Sequence, residues 1–178
     1  MKKVVIVCAP CGTGKSTIVD YINDNNAIEG FTSSETDILC WWDYAGTTKE
    51  NRYFNDALDK ALGLSKDKNL IFSTCVNPVD VRIRLKEYDI DLSVIGLMCS
   101  SEETRKRLLA RPKERNTSSD EFINSQIEYM NWFRNNEHEF DLLIDNSNQE
   151  VRETVDVIYS FIKKRYKLWY IQNLQRKL

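Results

Sequence analysis

Lys3-Val4-Val5-Ile6-Val7-Cys8, followed by Ala9-Pro10-Cys11-Gly12-Thr13-Gly14-Lys15-Ser16-Thr17, is the stretch whose reading decides the fold. Its first part is an apolar, β-branched run expected of a buried strand, and beyond its second part Ile18, Tyr21 and Ile22 recur at helical spacing. Between strand and helix lies the pattern GxxxxGK[ST], with Ala9 in the first glycine position. Small residues let successive backbone N–H groups turn inward around a polyphosphate, Lys15 reaches the terminal phosphates, and the Ser16 hydroxyl can ligate Mg2+. A helix starting at Ser16 adds the positive end of its dipole to the same anion. Pro10, Cys11, Gly12, Thr13, Gly14, Lys15, Ser16 and Thr17 are therefore the expected nucleotide-binding residues. Ala9 fits the pattern provided its backbone needs no positive φ.

At 178 residues the chain has room for one domain with a full core. Hydrophobic content of 42% and charged content of 29% describe a soluble globular protein. A net charge of -2 gives no general reason to expect nucleic acid or a membrane as partner. No apolar run approaches the length of a membrane span, and Met1-Lys2-Lys3 leads directly into a strand, so a cytoplasmic location is expected. The five cysteines, Cys8, Cys11, Cys40, Cys75 and Cys99, are expected as free thiols. Cys8, Cys75 and Cys99 close expected strands and read as buried small apolar residues rather than a metal or redox site, since the one histidine, His138, lies far along the chain. Cys11 lies inside the phosphate loop, where alkylation would inactivate without the thiol having a catalytic role.

Along the chain, the first helix is expected from Ser16 to about Asn25. A second strand lies between Phe31 and Trp42, with either Asp37 or Asp43 marking its end. Lys49 to Leu62 reads as an amphipathic helix stopped by Gly63, and Asn69 to Cys75 as strand three. Asn77 caps a short helix with Pro78 in its first turn. Strand four is Leu92 to Cys99, after which Ser101 caps a helix that stops before Arg111-Pro112. A polar linker from Lys113 to Ser118 precedes a helix from Ser119 to about Asn135, a short strand from Asp141 to Ile144, and a last helix from near Glu150. Strands alternating with helices imply an α/β parallel sheet, with ligands at the carboxyl ends of the strands.

Two chemistries compete for the loop. Trp42-Asp43-Tyr44-Ala45-Gly46 and Asn77-Pro78-Val79-Asp80 imitate the DxxG and NKxD motifs of GTPases. Proline replaces the lysine of the second motif, and only roughly 30 residues separate Lys15 from Asp43, too few for a switch region and two strands. The two matches are read as a turn and a helix cap. A kinase needs an acceptor site, a carboxylate to orient the attacking hydroxyl, and cations to neutralise the transferred phosphoryl group. Arg105 to Arg115 carries six cations and one acid and runs from a helix into a loop able to close as a lid.

The phosphate loop, Glu35-Thr36-Asp37-Ile38-Leu39, RLLARP at Arg107 to Pro112, FINSQIEYMNWFR at Phe122 to Arg134 and DLLID at Asp141 to Asp145 resemble the small bacterial P-loop nucleoside and nucleotide kinase-like ATPases. That group includes adenylate, shikimate and gluconate kinases. The resemblance covers residues 1 to about 165. It implies a three-layer α/β/α fold with a five-stranded parallel sheet in order 2-3-1-4-5 and a small helical lid at about residues 111 to 120. It implies ATP and Mg2+ as cofactors, Lys15 at the transferred phosphate, and Ser16 and Asp37 toward the metal. By position, Asp37 resembles the carboxylate at the acceptor site, and Arg107, Arg111 and Arg115 resemble lid arginines, with Arg105 ranked behind them. The acceptor implied is a small molecule, foremost a nucleoside or nucleotide. Strand three ends Phe72-Ser73-Thr74-Cys75-Val76-Asn77 without the aspartate of a Walker B motif, so Mg2+ would rest mainly on Ser16, phosphate oxygens and water.

The aromatics Phe31, Trp41, Trp42, Tyr44, Tyr53 and Phe54 are read as core, with one of Trp41 and Trp42 facing the acceptor cleft if their segment is extended. Trp132 carries the same ambiguity. Residues 163 to 178, treated from residue 166 on as a helical extension, hold six cations and no acid, interleaved with Tyr166, Trp169 and Tyr170. They read as a last helix packed on the domain or on a second subunit, which leaves a homodimer open. The competing readings of the whole chain are an ATP-dependent phosphotransferase and a nucleotide-binding regulatory module with little transfer activity.

Overall fold

A computed structural model describes residues 1–112 and 117–175, with side chains through residue 166. The chain runs β1 (Lys2–Cys8), α1 (Lys15–Asn25), β2 (Phe31–Glu35), α2 (Tyr53–Leu64), β3 (Asn69–Thr74), α3 (Pro78–Arg84), β4 (Ile90–Met98), α4 (Ser101–Leu109), α5 (Asp120–Asn135), β5 (Leu142–Asp145) and α6 (Val151–Gln175). The strands form one parallel sheet in the order β2-β3-β1-β4-β5. This is the order that the resemblance implies.

β1 shows why its sequence is apolar throughout. Val4, Ile6 and Cys8 enter the cluster under α2, α3 and α5 with Leu58, Val81 and Phe133. Val5, Val7 and Ala9 enter the opposite cluster with Ile18 and Ile22 of α1 and Val155 and Ile158 of α6. A strand buried on both faces loses the period-two alternation and becomes a continuous apolar run. Helices thus cover both faces, and the carboxyl ends of β1, β3 and β4 converge where the loop leaves β1. No helix among the described residues is long and apolar enough to cross a membrane.

Several boundaries differ from the sequence expectation. β2 ends at Glu35, before both candidate aspartates, because the chain turns into a 3-10 turn over Thr36–Ile38. The Tyr53 hydroxyl fixes that turn by donating to the carbonyls of Thr36 (2.9 Å) and Leu39 (3.1 Å). Trp41–Asp43 form a second 3-10 turn, so the extended-strand argument for Trp41 and Trp42 fails. Trp41 packs edge-on against Tyr53, while Trp42 is 80% exposed. α2 passes through Gly63 and ends at Leu64; the Ser65 hydroxyl donates to Leu62 O, and Lys66 takes the left-handed conformation (φ 47°) that glycine was expected to supply. Asn77 caps α3 as expected, its side-chain oxygen accepting from Val79 N at 2.9 Å. The cap of α4 is Ser100 rather than Ser101. Of the three strand-end cysteines, Cys8 and Cys99 are buried as expected, but Cys75 is exposed.

At the base of α6, Arg165 donates to Leu92 O (2.9 Å) and lies near Asp91 and Asp141, while Tyr166 packs near Phe31. Those two basic-aromatic residues tie the helix to the sheet. The side chains of Lys167, Trp169, Tyr170, Arg176 and Lys177 lie outside the described residues.

Gly96 in β4 is the tightest packing constraint in the sheet: a Cβ there would lie 2.6 Å from Leu143 Cδ1 and 2.8 Å from the Phe140 ring. Gly96→Ala is expected to destabilise the fold by about 1–3 kcal/mol through overpacking. Thermal denaturation monitored by circular dichroism should show the drop, roughly 2–4 °C per kcal/mol for a chain of this size.

Candidate active site

The loop after β1 turns through two left-handed glycines, Gly12 (φ 91°) and Gly14 (φ 94°). Ala9 is completely buried, donates its N–H to Thr74 O at 2.9 Å, and is not among the non-glycine residues of positive φ. A methyl group therefore fits the first position of the motif. Gly14 is the N-cap of α1 and offers no side-chain cap. The first-turn N–H groups of α1 are consequently open to an anion. The Thr13 hydroxyl donates to Pro10 O at 2.9 Å, and Cys11 N donates to Gln126 Oε1 at 2.8 Å, so α5 holds the outer edge of the loop. Lys15 Nζ donates to the carbonyls of Ala9 and Pro10, both at 3.0 Å. Burial would lower the Lys15 pKa, but the Cys75 and Cys11 sulfurs beside it outweigh that effect and raise it, keeping the ammonium charged.

Two clefts meet at the start of α1. One, of about 290 Å3, is lined by Gly14, Thr17, Arg107, Asn146, Gln149 and Thr154 among others. The other, of about 270 Å3, is lined by Cys11, Gly14, Lys15, Ser16, Thr17, Glu35, Thr36, Asp37, Cys75 and Arg111. Gly14 and Thr17 belong to both, so the loop is the wall between them.

The first cleft is built by α4 and the chain beyond β5. Ser100 caps α4 by accepting from Glu103 N at 3.1 Å. The sequence Ser100-Ser101-Glu102-Glu103 thus has capping-box spacing, yet the return bond is absent. Ser100 N donates to Ser147 Oγ instead, and the Glu103 carboxylate takes Arg107 Nε at 2.7 Å. That bond is the main reason the Glu103 pKa falls below the usual carboxylate range. Arg107 is thereby turned toward the loop, with its guanidinium 3.4 Å from both Thr13 O and Asn146 O. Asn146 Nδ2 donates to Thr13 O at 2.7 Å. Sequence reasoning passed over Asn146; no periodic signal marks the first residue after a strand.

In the second cleft, the carboxylate touching Ser16 is Glu35, whose Oε2 accepts from Ser16 Oγ at 2.9 Å. Burial pushes the Glu35 pKa up, against the lowering effect of that hydrogen bond, and the nearby Asp37 adds to the rise. The sequence around Glu35 carries no pattern that marks the end of β2, so Glu35 does not stand out in it. A strand ending there puts Ser33 and Glu35 on one face, with Glu35 at the tip toward the loop. Asp37 lines the same cleft one turn later, whereas Asp43 is exposed and is not among the cleft residues. Arg111 lines this second cleft and Arg107 the first, so the structure divides the arginines grouped in sequence. Arg105 pairs with Asp120 (2.7 Å) and Asn124, joining α4 to α5 outside both clefts. Arg115 lies outside the described residues.

The donor set suits Mg2+ better than a soft metal: a serine hydroxyl and one or two carboxylates beside a phosphate site match its preference for few protein ligands with phosphate and water. Among the described residues no cluster of three or more His, Cys, Asp or Glu forms a metal cage of its own.

Comparison with known proteins bears on this geometry. A guanylate kinase from Prochlorococcus marinus is 24% identical over 197 aligned residues, covering 92% of this chain and 98% of the relative. Among solved structures, the Deinococcus radiodurans tunicamycin resistance protein superposes with a TM-score of 0.66 at 15% identity, covering 91% of this chain and 96% of its own. A shikimate kinase from Acinetobacter baumannii in complex with shikimate gives a TM-score of 0.63 at 17% identity, covering 93% and 95%. At such identity the structures speak for the fold, which is that of the P-loop kinases. A family model described as an AAA domain matches residues 5–131, more than half of the sequence, and the chain belongs to that P-loop family.

Proposed function

We propose that the protein is an ATP-dependent phosphotransferase that moves the γ-phosphoryl group of Mg-ATP to a small acceptor, foremost a nucleoside or nucleotide. The observation that carries this reading is the pair of clefts sharing Gly14 and Thr17 as their common wall. A donor whose phosphates lie along the loop extends its base into the cleft of Arg107 and Asn146. Its terminal phosphate then faces the cleft of Glu35, Asp37 and Arg111. Transfer between two sites on opposite sides of one phosphate loop needs little covalent chemistry from the protein; positioning and charge neutralisation suffice.

Lys15 and the N–H groups of Gly12 to Ser16 hold the phosphates, and Arg111 neutralises charge on the transferred group from the acceptor side. Arg107, fixed by Glu103, covers the donor base, so among the described lid arginines Arg111 is the one assigned to the transition state. Asp37, reaching into the acceptor cleft, orients the attacking hydroxyl or accepts its proton. Ser16 would ligate Mg2+, with Glu35 anchoring the serine or a metal-bound water; the ion would neutralise phosphate charge during transfer. A GTPase reading finds less support, since Asn77 caps α3 and Asp43 sits in an exposed turn. The guanylate kinase relative favours a nucleotide as acceptor.

Lys15→Ala is expected to lower turnover by on the order of 100-fold or more, as for loss of a transition-state cation. Circular dichroism should be unchanged, and wild-type-like ATP consumption across a panel of nucleosides, nucleotides and small hydroxy compounds would refute the proposal. Glu35→Gln should lower Mg-dependent turnover while raising the melting temperature of the ligand-free protein at neutral pH. The sign follows from the raised pKa: folding favours the protonated carboxyl, so the stability Glu35 contributes is full at acid pH and is lost as pH rises through its folded pKa. The difference in melting temperature should therefore vanish in acid; a difference that grows as pH falls would contradict it.

A further inference from the structure

The cleft holds a pair of sulfurs that phosphoryl transfer does not use. Cys11, in the middle of the phosphate loop, and Cys75, directly after β3, come together with their Sγ atoms 3.9 Å apart. They are separated by 64 positions in sequence, and both line the cleft of Lys15, Glu35 and Arg111. Cys75 is exposed and Cys11 half-buried, so reagents from solvent reach them. We propose that Cys11 and Cys75 form a reversible thiol–disulfide site that responds to low-molecular-weight disulfides and whose closure removes the phosphate loop from service. This consequence, though not the thiol chemistry itself, rests on the nucleotide-binding reading above.

The geometry supports each step. Disulfide closure needs two Cβ atoms at roughly 3.5–4.5 Å and an S–S bond of about 2 Å, so the sulfurs must approach by rotation and a small shift of the loop. Cys75 is the more exposed of the two cysteines, and the hydrogen bond it shares with Cys11, together with the Lys15 ammonium beside it, holds its thiol below the ordinary range. Cys75 is therefore the attacking thiolate. It attacks one sulfur of the added disulfide, forming a mixed disulfide and releasing one small thiolate. Cys11 then gives its proton to solvent and attacks Cys75 Sγ, displacing the second small thiolate. Two protein thiols lose two electrons and two protons, and the added disulfide takes them up as two thiols. The new bond clamps the loop to the tip of β3 and neutralises the thiolate facing Lys15, while Cys11 N is drawn against its bond to Gln126.

The test uses the fully reduced 178-residue chain and oxidised glutathione without denaturant. Peptide mapping by mass spectrometry should give a Cys11–Cys75 linked peptide, with glutathione retained on the exposed Cys40. The ATP-dependent rise in melting temperature should disappear in the linked protein and return after dithiothreitol. In Cys75→Ser, oxidised glutathione should leave that protein's own ATP response unchanged. Glutathione retained on Cys75 or Cys11 without the linked peptide would overturn the site, and so would a linked protein whose ATP response equals that of the reduced form. The linked peptide is read by mass in the wild-type chain, so it judges the thiol pair even if reduced protein gave no ATP response, a result that fails the phosphotransfer reading instead.

Discussion

The left-handed backbone at Gly12 and Gly14 is the constraint on which the rest of the site depends. Between them these residues curl the loop back on itself, and an L side chain at either would sit in strained backbone geometry. Gly12 carries a second requirement, since a Cβ there would come within 3.1 Å of Leu108 Cγ. α4 can lie flush on the loop only because that position has no side chain. Arg107 precedes Leu108, so the same close approach delivers its guanidinium to Thr13. Gly14, at the other end of the curl, aims the first turn of α1 and with it Lys15 and Ser16.

The strand order converts this local curl into a three-sided site. With β1 central, the end of β3 flanks the loop on one side and the ends of β4 and β5 flank it on the other. Cys75 and Thr74 come from the first side, and Ser100 and Asn146 from the second. The Thr13 carbonyl receives Asn146 while Cys11 N is held by Gln126 of α5, so the loop is braced from both flanks without a ligand. Such bracing lowers the ordering cost of binding, since the backbone donors are already in place.

Much of this was legible in the sequence because it is governed by local rules. The doubly buried strand, the small-residue loop and the cap at Asn77 each depend on a few neighbouring residues. What escaped depends on contacts between distant segments. The end of β2 is set by a hydroxyl on α2, Tyr53, which no pattern around Glu35 reveals. Hence Asp37 was singled out and the serine-bound Glu35 was not. Likewise, Arg105 and Arg107 stand in one run of cations, and their partners fix where each goes: Glu103 turns Arg107 to the loop, and Asp120 turns Arg105 away from it. Helix ends followed the same logic, as with Lys66 taking the conformation that a nearby glycine was expected to provide.

The wall shared by the two clefts has a thermodynamic consequence. Because Gly14 and Thr17 border both, a ligand that shifts them in one cleft changes the surface offered in the other. Linkage makes that effect symmetric: whatever factor the first ligand applies to the affinity of the second, the second returns to the first. A single turn of helix is thus the shared boundary through which occupancy of one cleft bears on occupancy of the other.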